Sequence, residues 1–470
     1  MFFFRRKGSK LQQILGLLVL TACAIIILKV YTTRDCELAD LRTDAKRQNS
    51  AVCRDRLYTQ LHLSPTDGTN CFRILRGDIE ALQQAALQRL EVVHKHQPIT
   101  EGFYINQTQD CNSYMASRRF MPVALSLEEE AFPIAYSMVI HKNIEMFERL
   151  LRSLYAPQNI YCVHVDAKAP TPFLQAVQAI ANCFPNVFVA SKLENVIYAS
   201  WSRVQADLNC MEDLLKSPVP WRYLINTCGT DFPIKTNGEM VRALRVLNGR
   251  NSLESERTSE YKKKRWQLQQ KVENSNIVQT GMAKAPPPIS IPMFSGSAYI
   301  VASREFVRAV FEEPVARKLA EWEQDTYSPD EHLWATLNRM PELPGSIPHN
   351  DKYELTDINA LARLVKWQHL AGDVTKGAPY PPCTGVYQRG VCIYGAGDLH
   401  WMLQHHHLLA NKFDPSVDNT AIQCLEEYLR HKSLYEETLA QVLGGQRQLG
   451  PPMTKDFAPP FLEYWPSWKQ

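Results

Sequence analysis

The sequence predicts an α/β fold built on a Rossmann-type parallel or mixed sheet flanked by helices. From about residue 135, short apolar β-branched runs alternate with helical stretches, the pacing of a parallel sheet with crossover helices. Hydrophobic residues at 45% and charged residues at 21% give an ordinary globular composition, neither disordered nor a multi-span transporter. The length of 470 residues corresponds to roughly three domains of ~150 residues and allows a full core.

Residues 1–10 hold Arg5, Arg6, Lys7 and Lys10 and no acid. This leaves a net −1 for the rest of a chain whose formal charge is +3. A near-neutral body excludes nucleic acid as the main partner, because a polyanion needs a net or clustered positive field. From Leu11 to Leu28 no residue is charged, and Ile14 to Leu28 is almost wholly apolar. At 1.5 Å per residue this run spans about 27 Å, enough for a thin bilayer. Basic residues precede it, so residues 1–10 read as a cytosolic tail, 11–29 as a retained anchor, and the remainder as translocated. Ala22-Cys23-Ala24 has the form of a signal-peptidase site, but Ile25 to Leu28 continue the apolar run where a cleavage region is polar.

Twelve cysteines fit a lumenal chain. Setting aside Cys23 in the anchor leaves an odd number, so at least one thiol is unpaired or pairs between chains. No CxxC pair or His-spaced zinc pattern occurs. Cys383 and Cys392 are the easiest local pair. Asn106-Gln107-Thr108 is an N-glycosylation sequon.

Residues 30 to about 60 are polar and read as a stem; one amphipathic helix is predicted over 77–96, with Ile79, Leu82, Ala86, Leu87, Leu90 and Val93 on its apolar stripe. We group 30–128 as stem and N-terminal helical region, 129–434 as the catalytic α/β domain and 435–470 as a tail. Strands are predicted at 135–140, 160–165, 187–190 and 223–226, with helices over 145–155, 172–183 and 201–215. Ligands in such sheets sit beyond the carboxyl ends of the strands, which places His141, Asp166, Tyr198 and 227–231 at a cleft. The stretch 284–292 is a Pro-rich connector. Neither GxGxxG nor GxxxxGK[ST] is present.

Ser328-Pro-Asp-Glu331 has the form of a capping box, with Ser at N-cap, Pro at N1 and Glu at N3, opening a helix through Leu333, Trp334 and Leu337. The same carboxylates could do acid–base chemistry, and the two roles are compatible. Lys262-Lys-Lys-Arg265 reads as a solvated charge run near Glu254, Glu256 and Glu260, or as an anion or sugar contact. His405-His-His407 makes a poor metal site, since consecutive helical residues point apart, and Asp330-Glu331-His332 is not HExxH. An α/β enzyme handling sugar nucleotides often holds Mn²⁺ with Asp-x-Asp at a strand end; here Val165-Asp166-Ala167-Lys168 puts a lysine at the second acid. A diphosphate leaving group would then need protein cations.

Five blocks carry a family resemblance: Tyr198-Ala-Ser-Trp-Ser-Arg-Val-Gln-Ala-Asp-Leu-Asn-Cys210, Cys228-Gly-Thr-Asp-Phe-Pro-Ile-Lys235, Asp325-Thr-Tyr-Ser-Pro-Asp-Glu-His-Leu-Trp334, Lys376-Gly-Ala-Pro-Tyr380 and Tyr394-Gly-Ala-Gly-Asp398. Together they resemble the mucin-type core 2 β-1,6-N-acetylglucosaminyltransferases over about 71–434, with phrasing most similar to the broad core 2/core 4 type. The resemblance implies a GT-A-like fold in a single-pass type II Golgi membrane enzyme with its catalytic domain in the lumen. It implies inverting, metal-independent transfer of GlcNAc from UDP-GlcNAc to the 6-hydroxyl of GalNAc on O-glycosylated glycoproteins such as mucins.

Carried over by position, Glu331 resembles the general base. Val139, Ile140, His141, Asp166, Ala167, Lys168 and Tyr198 match nucleotide-binding segments, and Arg389 and Lys412 the cations at the diphosphate. Glu254, Lys262, Arg265, Lys352 and Trp367 match acceptor contacts; His369 stands where the leukocyte type has an aromatic one, which bears on acceptor preference. The implied disulfides are Cys71–Cys424, Cys111–Cys183, Cys162–Cys210 and Cys383–Cys392, leaving Cys228 a free thiol. Cys36 and Cys53 in the stem leave a homodimer open. Two alternatives stand beside this reading: a related transferase making only I-type branches, and a lumenal glycan binder without turnover. Intact Glu331, Arg389 and Lys412 argue against the binder.

Overall fold

The computed structural model describes residues 60, 61, 63, 69–90, 97–348 and 360–443. The expected anchor, stem cysteines Cys36 and Cys53, the terminal tail beyond residue 443, and Lys352 lie outside the described residues. Residues 1–62 form a separate unit, and the following concerns the unit from Leu63 onward. Among the described residues, no helix is long and apolar enough to cross a membrane.

Short helices come first: α1 (Cys71–Leu75), α2 (Ile79–Leu90), α3 (Glu101–Gln107), α4 (Cys111–Ser117) and α5 (Leu127–Glu130). Only α2 was expected from periodicity, and its buried face matches the expected one only in part. Ala81 and Ala85 are buried and Leu82, on the expected stripe, packs against the same core, whereas Ile79, Leu87 and Leu90 are exposed. The Cys71–Cys424 disulfide ties α1 to the last helix, and Gly77 turns at φ +75° where a Cβ would lie 3.3 Å from the His400 ring. The chain thus approaches closely just before α2, where the helix buries Ala81 and Ala85.

The central sheet uses β1 (Ile134–Ile140), β2 (Ile160–Val165), β3 (Val187–Val189) and β4 (Tyr223–Cys228), joined through α6 (Ile144–Leu154), α7 (Thr171–Ala181) and α8 (Trp201–Lys216). β1 pairs parallel to both β2 and β4, and β3 adds parallel to β2. Strand β11 (Ile300–Ser303) pairs antiparallel to β4, and β6 (Ser252–Leu253) antiparallel to β11. The result is a mixed six-stranded sheet in the order β3-β2-β1-β4-β11-β6. Period-two alternation splits β1 between two cores. Ile134, Tyr136, Met138 and Ile140 join α3, α6 and α7. Ala135 faces α8 and α11 (Arg304–Glu312). Tyr104 and Tyr114 lie in the first of these cores, so the helices before residue 129 pack into the same body as the sheet.

Between β4 and β11 the chain makes β5 (Asp231–Pro233), α9 (Asn237–Leu247), β7 (Glu256–Arg257), α10 (Glu260–Gln267), the hairpin β8 (Leu268–Glu273) and β9 (Asn276–Ala283), and β10 (Phe294–Ser295). After α11 come α12 (Pro314–Trp322) and α13 (Leu333–Leu337). A second, three-stranded sheet pairs β12 (Arg363–Val365) parallel to β15 (Leu409–Asn411), and β15 antiparallel to β5. Between β12 and β15 lie the hairpin β13 (Val386–Gln388) and β14 (Val391–Ile393), then α14 (Leu399–Met402). The last helix, α15 (Pro415–Leu443), is interrupted at Asp418. Its buried residues Ile422, Cys424, Leu425 and Leu429 share a third core with α1, α2 and this sheet. Disulfides join Cys111–Cys183, Cys162–Cys210 and Cys383–Cys392 as well as Cys71–Cys424, and Cys228 is a free thiol.

Candidate active site

The carboxyl ends of β1, β2 and β4 open on one side of the sheet. The Asp166 amide donates to the Ile140 carbonyl at 2.9 Å, locking the ends of β1 and β2 together. The Asp166 carboxylate is spent on its own loop: Oδ1 accepts from the amides of Lys168 (2.9 Å) and Val196 (3.3 Å), and Oδ2 lies 3.7 Å from Lys168 Nζ. Lys168 Nζ donates to the Val196 carbonyl, and the Ala167 amide to that of Glu194 at 2.9 Å. The strand end thus fixes segment 194–198, which delivers an exposed Tyr198 ahead of α8. His141 lies just past β1, where partial desolvation of its ring, with Lys142 beside it, lowers its pKa.

Three non-glycine residues in left-handed backbone conformation meet here: Ala199 (φ 59°), Ser328 (φ 50°) and Arg389 (φ 53°). Such a conformation costs about 1–3 kcal/mol each and persists only where surroundings impose it. The Ser328 amide donates to the Ala199 carbonyl at 2.8 Å, so two of the three hold one another. Arg389 and Gly390 (φ 75°) form the two-residue turn between β13 and β14, with the positive φ pair of a type I′ hairpin. That turn sets the Arg389 guanidinium 5.6 Å from the Tyr198 ring centre. Lys412 follows β15, its amide bound to the Cys392 carbonyl at 3.2 Å. Burial first, then repulsion from Arg389 and Lys142, lowers the Lys412 pKa, while Cys228 opposes the shift. Lys142, Arg389 and Lys412 make no ion pair with any carboxylate among the described residues. Burial pushes the Cys228 thiol up, and its sulfur sits 3.3 Å from Thr230 Oγ1 and 3.4 Å from Asn411 Nδ2.

Glu331 ends a 3-10 turn, Pro329–Glu331, rather than occupying N3 of an α-helix. The expected capping box is absent: Ser328 makes no side-chain capping bond, and α13 begins only at Leu333. The bond to Ala199 holds Ser328 out of the extended conformation that an N-cap needs. Instead, the Glu331 carbonyl accepts from the Gly296 amide at 2.7 Å. Its carboxylate, 38% exposed, is paired through Oε2 with Arg265 of α10. The charge run of α10 is thus split: Arg265 faces Glu331, and Lys263 pairs with Glu260 on the surface. Lys262 is half-buried in the first turn of α10, and Glu254 is half-buried where its carbonyl abuts Gly296. Trp367 and His369, ring centres 6.1 Å apart, adjoin the Arg389 hairpin through the Gln368 amide, which donates to the Gly390 carbonyl at 2.8 Å.

Tyr198 joins the two halves: its hydroxyl is influenced by Tyr327, Glu331 and Asp330 on one side and Arg389 on the other. Val139 and Ile140 line the end of β1, and Lys352 lies outside the described residues. Asn106 is exposed at the far end of α3, and its sequon partner Thr108 is tied to the Tyr104 carbonyl at 2.7 Å.

Sequence reasoning missed the support beneath Glu331. Burial pushes the Asp330 carboxyl up to about 6, with Arg203 opposing and Glu331 adding to the shift. Arg203 in turn bonds Asp207 at 2.6 Å. The ring of His332 is buried between Glu323 Oε1 (2.7 Å) and the Tyr327 carbonyl (3.1 Å), under Trp266. Only adjacency to Glu331 could have flagged Asp330 and His332. Among the described residues, one group has metal-ligand spacing, Cys383, Cys392 and Asp398. Its sulfurs form a disulfide, and Asp398 accepts from Lys366 at 2.6 Å, Thr384 Oγ1 at 2.8 Å and the Gly395 amide at 3.0 Å. The His405 ring meets Trp401 edge-on and lies tilted against His407, whose ring stacks on His406.

Comparison with known proteins places residues 134–403 in the family described as Core-2/I-Branching enzyme. A beta-1,3-galactosyl-O-glycosyl-glycoprotein beta-1,6-N-acetylglucosaminyltransferase 3 of Bos taurus is 60% identical over 412 residues, covering 88% of this chain and 93% of that protein. Its Homo sapiens namesake is 57% identical over 412 residues, with 88% and 94% covered. A transferase of the same name, without the numeral, from Bovine herpesvirus 4 (strain DN-599) is 58% identical over 412 residues.

Proposed function

We propose, from the premise that this chain belongs to the Core-2/I-branching enzyme family, the following reading of its site. The protein is a β-1,6-N-acetylglucosaminyltransferase that builds core 2 branches on mucin-type O-glycans, with UDP-GlcNAc as donor. In our reading, the mixed sheet is a GT-A-like core, Glu331 is the base, and Arg389 and Lys412 receive the diphosphate without a divalent metal. The observation that carries this is the arrangement around Tyr198, with one half-exposed carboxylate on one side and cations without carboxylate partners on the other.

An alcohol is a weak nucleophile, so a placed carboxylate must take its proton as it attacks the anomeric carbon. Arg265 engages Oε2 of Glu331, which leaves Oε1 for the acceptor 6-hydroxyl. The C1–O bond to UDP breaks on the opposite face of the sugar, inverting the anomeric centre. The diphosphate carries the charge away against Arg389 and Lys412, fixed cations in a partly desolvated setting. A strand-end acid that could ligate Mn²⁺ is already spent: Asp166 is folded into its own loop with Lys168 beside it. Val139, Ile140, His141, Ala167 and Tyr198 would border the nucleotide, and Glu254, Lys262, Arg265, Lys352, Trp367 and His369 the acceptor. The apolar run after a basic tail, the sequon and the four disulfides support a Golgi type II membrane setting with the catalytic part lumenal.

The test offers UDP-GlcNAc and Galβ1-3GalNAc-aryl acceptor to the full chain in detergent with EDTA, with Glu331→Gln alongside. We expect turnover in EDTA and a loss of about 10²–10³ in the variant, roughly 3–4 kcal/mol. Turnover only on adding Mn²⁺ would overturn the cation clamp, and an active Glu331→Gln would overturn the base. GlcNAcβ1-3GalNAc run in parallel reports, by the ratio of the two acceptors, the core 2 against core 4 preference.

A further inference from the structure

Away from the cleft, α6, the start of α9 and α15 enclose a cavity of about 40 Å³. Beside it runs a buried charge network. Glu148 accepts from Arg118 (2.9 and 2.6 Å) and Arg152 (3.1 Å), and Glu426 from Arg149 (3.1 and 2.7 Å) and Arg152 (2.8 Å). Glu145 adds a contact to Arg149 at 3.4 Å. Three arginines are thereby matched to three glutamates. A fourth, Arg430, is only 7% exposed and lines the cavity, and its guanidinium makes no hydrogen bond or ion pair among the described residues. Its Nη1 is wholly buried without a partner. Arg152 spends Nε and Nη2 on the glutamates and leaves Nη1 unspent.

A buried guanidinium without an acceptor is costly enough that proteins seldom keep one. The remaining lining is mixed: Met121, Val123, Leu125 and Leu429 are apolar, and the polar groups among the rest suit an anion. Ser153 and Ser433 also line the cavity, and Thr236 and Asn237 bring the N-terminus of α9 to the wall, where Glu239 caps the Thr236 amide at 2.9 Å. The two carboxylates of the lining are occupied, Glu426 by arginines and Glu129 by Asn237 and Ser126. The volume of about 40 Å³ admits about three waters, or a monatomic anion with a water beside it.

We propose that this cavity is a binding site for a small monovalent anion of the halide class, held by Arg430 and Arg152, which ties α15 to α6 and α9. The site acts on stability, and its occupancy is independent of the transferase reading above.

Bromide and chloride are the probes. Thermal unfolding of the full chain at constant ionic strength, exchanging sodium gluconate for sodium chloride, should give a saturating rise in midpoint of roughly 2–5 °C. Arg430→Met, which removes the unpaired charge and keeps the volume, should abolish that rise and match or exceed the parent's midpoint in gluconate. Crystals grown in sodium bromide should carry an anomalous peak within hydrogen-bonding distance of Arg430, which keeps the proposal testable if the variant misfolds. Water alone in the cavity, or a chloride response unchanged in Arg430→Met, overturns it.

Discussion

Gly296→Ala tests whether Glu254 and Glu331 are held in one frame. A Cβ on Gly296 would lie 2.2 Å from the Glu254 carbonyl oxygen and 3.0 Å from both the Glu254 carbonyl carbon and the Ala335 Cβ. Real Cβ contacts stay beyond about 3 Å, so the backbone must give by about 0.8 Å or more. The same residue's amide donates to the Glu331 carbonyl at 2.7 Å. Relief therefore either pushes the Glu254 segment outward or pulls Gly296 off the turn that carries Glu331. Overpacking of this kind costs about 1–3 kcal/mol, and a broken buried hydrogen bond about 1–3 more. The sum, about 2–6 kcal/mol, is a large part of a typical folding free energy of about 5–15. A base displaced by about 1 Å loses on the order of 10² in rate. The assay pairs initial rates on the disaccharide acceptor with a thermal midpoint, with Gly102→Ala as control, since its Cβ meets only Thr100 Oγ1 at 4.0 Å. We expect Gly296→Ala to lose both midpoint and kcat/KM while Gly102→Ala keeps both. An unchanged kcat/KM in the folded fraction would refute the idea that this contact positions Glu331, the proposed base.

Asp330 makes stability pH-dependent. Its carboxyl lies at about 6 in the fold against an ordinary 3.8, so the folded state holds the proton more tightly and loses stability as pH rises from about 4 to 6. The loss is up to about 3 kcal/mol by pH 7, with Arg203, Glu331 and His332 as the charged and titratable groups facing it. Asp330→Asn should flatten the midpoint-versus-pH curve between about pH 4 and 6.5; a slope equal to the parent's over that range would contradict the assignment. Lys366→Met should cost about 3–5 kcal/mol in denaturant unfolding, because it strands a fully buried Asp398, and adding Asp398→Asn should recover part of it. A single-variant loss below about 1 kcal/mol would show that the pair does not brace the hairpin.

The sheet was legible because its strands are short, apolar and bounded by turn residues, and burial on both faces of β1 and β2 leaves no ambiguity of face. The turn at Ser328 was not. Its residues satisfy the capping pattern, and the outcome is decided by Ala199, more than a hundred residues away, which accepts the Ser328 amide. Periodicity held only in part in α2: Leu82 packs on the core as the stripe requires, but Ala81 and Ala85 are the buried residues while Ile79, Leu87 and Leu90 face solvent, beside a helix pinned by Cys71–Cys424. Arg389 and Lys412 carry no local signature, since their proximity depends on a hairpin turn and on the β12–β15 pairing. Only the family resemblance singled them out.

The proposed clamp also explains why so much scaffold lies far from the strand ends. A metal site places its charge through one or two ligands on a loop, whereas two protein cations must each be held against their mutual repulsion. Here the hairpin carrying Arg389 is closed by Cys383–Cys392, and its strand β14 is bound through the Cys392 amide to the Lys366 carbonyl at 3.0 Å. Lys366 itself is locked to Asp398 at 2.6 Å, with its ammonium 4.4 Å from the Trp401 ring centre. Lys412 is tied to the same hairpin by the Cys392 carbonyl and the Tyr394 amide. One buried ion pair and one disulfide thus fix both cations in a common frame, and Cys71–Cys424 fastens α1 to the helix that follows β15. Preorganisation of this kind matters because fixed charges need no reorganisation when the leaving group becomes anionic. Loosening the frame at Lys366 should therefore lower the rate at saturating donor even where the protein still folds.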